Sequence, residues 1–131
     1  MVTIGAMTEN TITAMLLVVA AIHLVPITGF FGADRLSALY GIEIDRPDLA
    51  ILMRHRAVLF GILGALFAYA AFVPALQPLA FAAAATSLVT FFYLAWTEGG
   101  YGPGIRRVIV GDGIAAIALV IAVALYFLRP D

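Results

Sequence analysis

A chain of 131 residues has room for one domain, and 64% hydrophobic residues with a mean hydropathy of +1.09 put it outside the range of soluble globular proteins. Net charge is only −1, every basic residue is Arg, and no basic run is long enough for a nucleic-acid surface, so nucleic acid is excluded as an expected partner. The absence of cysteine removes disulfides, thiolate metal sites, covalent c-type haem and thiol redox chemistry.

Four apolar stretches follow one another: Thr11 to Phe31, Leu49 to Val73, Pro78 to Trp96 and Val108 to Leu128. Each is close to the roughly 20 residues that a helix needs to cross a hydrocarbon core. They predict an all-α fold, an integral membrane bundle of four transmembrane helices in a single domain over residues 1–131. The first run is too long for a cleaved signal peptide and reads as a retained span. Within it His23 precedes Pro26, which frees a backbone carbonyl near Ile22. His23 is expected to bond that loosened backbone, or Ser87 or Thr90 of the third span; a proton-carrying or ligand-binding role is the sharper alternative.

A polar loop from Gly32 to Asp48 comes next, with Asp45 or Asp48 placed to cap the second span around Pro47. Shortly inside that span lie Arg54, His55 and Arg56. At 3.6 residues per turn Arg54 shares a face with Ala57, Gly61, Gly64, Ala65 and Ala68, a small-residue stripe of the kind against which helices pack. Arg56 is turned away from it, toward Leu59, Phe60, Leu63 and Phe67, so Arg54 is expected inside and Arg56 snorkelling in lipid. The uncharged link Pro74 to Pro78 makes the second and third spans antiparallel neighbours. Glu98 ends the third span on the same side as the Arg residues.

The last link, Thr97 to Arg107, is Gly-rich and carries Tyr101 and Pro103. Beyond it Asp112 lies about 7.5 Å of rise past Arg107. A carboxylate in lipid needs a partner, and Arg54 is the expected one, with His55 second and Glu98 able to join. Arg35, Arg46, Arg54, Arg56, Arg106 and Arg107 all fall in or beside the first and third links. The positive-inside rule makes those links cytoplasmic and leaves both termini outside.

The stretch from His23 to Gly64 carries HLxP, ADRLxxLYG and LMRHRAVLFGxLG, and through them resembles a group of small bacterial four-helix inner-membrane proteins similar to the DoxX-like family. The resemblance covers about a third of the chain and implies a bacterial inner-membrane location, with quinone-linked chemistry in the wider group. Relatives often carry the name phosphopantetheine adenylyltransferase. The soluble enzyme of that name has an HxGH motif, whereas here His23 precedes Leu-Val-Pro and His55 precedes Arg-Ala-Val; no Lys is present to meet phosphates, so adenylyl transfer is not expected. No His pair has helical spacing, so neither metal nor haem is expected, and no cofactor is predicted beyond a quinone as one candidate ligand.

Three functions fit these residues. The favoured one is a non-enzymatic accessory subunit or binder of a lipid- or quinone-like amphiphile, its head at Arg54, His55, Asp112, Glu98 or His23. The partners expected are membrane lipid and further copies of the chain or a larger membrane complex. The others are a membrane-embedded enzyme with His55 or His23 as acid or base and Asp112 as orienter, and a small proton-coupled transporter.

Overall fold

The computed structural model describes residues 3–130. Among them there are five α-helices: α1 (Ile4–Leu24), α2 (Ala33–Tyr40), α3 (Pro47–Ala71), α4 (Gln77–Glu98) and α5 (Pro103–Leu128). Four helical runs, Ile4–Phe31, Pro47–Ala71, Pro74–Glu98 and Pro103–Leu128, are long and apolar enough to cross a membrane. The chain is a multi-pass helical membrane bundle.

The first helix begins earlier than its apolar run, at Ile4, because the Thr3 side chain accepts a hydrogen bond from the Ala6 amide and caps it. At Pro26 the α-helix tightens into a 3-10 segment, Val25–Phe31, as expected where a ring has removed one amide donor. The polar loop that follows is not all loop: α2 folds within it, burying Leu36 and Tyr40 on one face and ending at Gly41 in the left-handed region. No Asp side chain caps α3; Arg46 stands at its N-cap, Pro47 opens the first turn and Asp48 lies within it. The last link shrinks to Gly99–Gly102, since α4 continues to Glu98 and Pro103 starts α5.

The four long helices form a square in which α1 packs on α3 and α5, α4 packs on the same two, and α1 faces α4 across the diagonal. Close approach between α1 and α3 comes from Gly64, where a Cβ would lie 3.2 Å from the Ala20 carbonyl oxygen, and Gly61 lets the 3-10 segment approach α3 through Ile27. Ile12, Leu16, Val19, Phe67, Ala84, Leu88, Ala115 and Ala122 fill the centre. The hairpin links place the α1–α3 connection and the α4–α5 connection at one end of the bundle and the termini at the other. At that far end Arg129 donates to Glu9 at 3.0 Å, joining the two terminal helices.

Candidate functional site

The polar side chains at the loop end are positioned by the rotation of α3. Its buried face holds Ala57, Gly61, Gly64, Phe67, Ala70 and Ala71, a line centred about a quarter-turn from the one expected. The two arginines therefore exchange roles. Arg54 is on the outside, its Nε donating to the Phe30 carbonyl at 2.8 Å and its guanidinium lying 5.3 Å from the Phe30 ring. Arg56 points into the bundle.

Arg56 is half-buried, and its Nη1 donates to the Tyr40 hydroxyl at 2.6 Å. The same guanidinium lies 5.2 Å from the Tyr40 ring and 4.5 Å from the Phe60 ring, so aromatic faces flank the cation where lipid would otherwise be. Tyr40 is held there by the stop of α2. Gly41 takes φ +66°, and the buried Gly104 of α5 packs directly against the Tyr40 carbonyl and the Gly41 amide. A cavity of about 310 Å³ opens beside this cluster, between α1, α2, α3 and α5. Its wall is apolar (Ile22, Val25, Leu39, Phe60 and Val108 among others) except for Tyr40, Arg56, Arg107 and Asp112.

Asp112 is half-buried on that wall and makes no hydrogen bond or ion pair with another described residue. The expected pair with Arg54 does not form, because Arg54 leaves by the opposite side of α3 and is taken up by the Phe30 carbonyl. The charged or ionisable groups near enough to act on Asp112 are His23 and Arg56. Arg107, on the same helix, is turned to the Ala38 carbonyl at 3.3 Å. Arg56 and Asp112 thus line one small apolar chamber without closing on each other.

Other sequence candidates lie apart from this chamber. His55 and Glu98 are exposed, on the outside of α3 and at the end of α4, and neither joins Asp112. His23 is buried at 2% exposure, and its Nδ1 meets the Val19 carbonyl at 2.9 Å, not the one freed by Pro26. A carbonyl only accepts, so Nδ1 carries a proton, and in the neutral ring Nε2 accepts from the Ser87 hydroxyl at 3.0 Å. Thr90 is not involved; its hydroxyl donates to the Thr86 carbonyl. Phe67 stands edge-on to the imidazole with ring centroids 4.9 Å apart. The His23–Ser87 bond crosses the diagonal of the square and ties α1 to α4. Tyr40 and Arg107 were not among the sequence candidates. The signal available for Tyr40 was the Leu36, Leu39, Tyr40 spacing ahead of Gly41, a short amphipathic helix with its stop.

No protein-family model matches the chain, and neither a curated protein nor a solved structure shows significant similarity to it. The site therefore has to be read from its own chemistry. No group of three or more His, Cys, Asp or Glu side chains able to hold a metal ion occurs among the described residues. What the arrangement offers is a planar cation backed by a phenol on one wall, a free carboxylate on another, and an apolar chamber between them.

Proposed function

We propose that the protein binds an amphiphile from the bilayer, with the polar head seated between Arg56, Tyr40 and Asp112. The observation that carries this reading is the separation of Arg56 from Asp112 on the wall of one apolar cavity. Two opposite charges within a membrane gain most by closing on each other, and a pair held open is stabilised by something that satisfies both. A head offering an oxygen acceptor to Arg56 and a donor to Asp112 does so; lipid head groups that carry a hydroxyl or ammonium, and quinol hydroxyls, belong to this class. The resemblance to DoxX-like proteins is compatible with the quinol member of that class.

Binding is favoured over turnover because the two histidines that could serve as acid or base do not line the cavity. His23 spends both ring nitrogens on Val19 and Ser87, and His55 faces outward. For orientation, we propose a bacterial inner membrane with the loop end in the cytoplasm, since that end holds all the Arg residues except Arg129. Reporters fused to the C-terminus are expected to report the outside; a cytoplasmic signal would invert the arrangement.

The binding test compares two arginines only two positions apart in sequence. Native mass spectrometry of gently extracted protein is expected to find a retained amphiphile in the parent and in Arg54→Leu, and none in Arg56→Leu. Loss of charge-assisted hydrogen bonds worth about 1.5–3 kcal/mol corresponds to roughly a tenfold to hundredfold weaker complex. Equal retention in all three proteins would remove the cavity from consideration as the head site.

A further inference from the structure

A cavity of about 310 Å³ is at the lower limit for a small-molecule site and accommodates a head with its first few carbons, not a whole lipid. The hydrocarbon part must therefore leave the chamber. Arg56 and Phe60, which wall the cavity on one side, also wall a second space of about 600 Å³ between α3 and α4. This groove follows α4 from Leu94 to Leu79, about 22 Å at 1.5 Å per residue, which is most of the depth of a hydrocarbon core. Its hydroxyls do not make it polar. Thr86 donates to the Ala82 carbonyl at 2.8 Å, Thr90 to the Thr86 carbonyl at 2.6 Å, and Ser87 is bonded to His23. A separate groove between α3 and the 3-10 segment, lined by Ile27, Phe31 and Ile62, shares no wall residue with the cavity.

We propose that the α3–α4 groove holds the chain of the amphiphile whose head occupies the cavity, so that the ligand is a single-chain amphiphile admitted laterally from the bilayer past Arg56 and Phe60. This rests on the head-site reading above. One contiguous groove fits one chain, and the polar end of that groove, at Arg56, is the end that meets the head cavity. Cavity and groove adjoin across the Arg56–Phe60 stack, whose 4.5 Å contact makes these two side chains the partition between head and tail that the ligand must part to occupy both.

The test uses an 18-carbon monoacylglycerol carrying a diazirine at its far end, and a long-chain prenyl quinol with the same terminal group, each at low abundance in nanodiscs of saturated phosphatidylcholine. Photolysis followed by peptide mapping is expected to place the label on α4 around Leu79 and Ala83, with the stronger of the two probes identifying the head chemistry. Groove labelling should be lost in Ala83→Phe and in Thr86→Phe, two independent ways to fill the groove, and also in Arg56→Leu. Label on lipid-facing side chains such as Val120 that still depends on Arg56 would overturn the chain path and leave the head site standing. Groove label indifferent to Arg56→Leu would overturn the head site, and the joined ligand with it.

Discussion

Gly104→Ala is expected to destabilise the bundle by about 1–3 kcal/mol, a cost typical of overpacking, and to loosen amphiphile retention as well. A Cβ at this position would run into the Tyr40 carbonyl group and come within 2.7 Å of the Gly41 amide nitrogen. Those are backbone atoms, so no side-chain rotation relieves the overlap, and α2 must move off α5. Tyr40 moves with it, and with Tyr40 the phenol that receives Arg56. Gly113→Ala on the same helix gives the opposite sign. A Cβ there meets nothing within 4 Å, and Ala in place of Gly within a helix gains about 0.5–1 kcal/mol. Thermal unfolding in mild detergent, followed by size exclusion, reads both. If Gly104→Ala melts with or above the parent, α2 and α5 do not cross at Gly104 and Tyr40.

That crossing also marks the border of what the sequence made legible. The spans were readable because a hydrocarbon core demands long apolar helices, a demand that composition alone records. Close contacts at Gly61 and Gly64 were readable for a related reason, since small residues are what let helices approach where lipid removes the hydrophobic drive. The rotation of α3 was not. In lipid Phe60 and Phe67 are equally at home inside or outside, so hydrophobicity carries no inward signal, and the stripe of small residues drew the face about a quarter-turn too far toward Arg54. Arg56 could have been read as snorkelling or as internal with the same side chain. What decided it is Tyr40, a partner delivered by a helix hidden in a loop whose charged residues Asp34 and Arg35 masked its amphipathic spacing. The carboxylate of Asp112 stands out in the sequence as an ionisable group within a span, but its surroundings depend on that same rotation.

The rotation of α3 yields the second large effect, at Phe67. On the face first expected, Phe67 would meet lipid and its truncation would be mild; in the structure it is 0% exposed, between α1 and α3 and edge-on to His23. Burial from lipid supplies little transfer free energy, because acyl chains are as apolar as a Phe pocket. The loss on Phe67→Ala is therefore one of packing. Removing roughly 100 Å³ of side chain at about 24 cal/mol per Å³ of residual cavity gives about 2.4 kcal/mol, if the helices do not collapse into the space. The imidazole of His23 loses its edge-on neighbour at the same time, which weakens the diagonal tie to Ser87 without removing either of its hydrogen bonds. Ile62→Ala, on the lipid face of the same helix at 61% exposure, is expected to change stability by much less, since acyl chains refill the space left by the side chain. Unfolding of the two variants in mixed micelles with increasing denaturing detergent measures the difference directly. Equal losses would return Phe67 to the lipid face and, with it, Arg56 to the outside and Arg54 to the site.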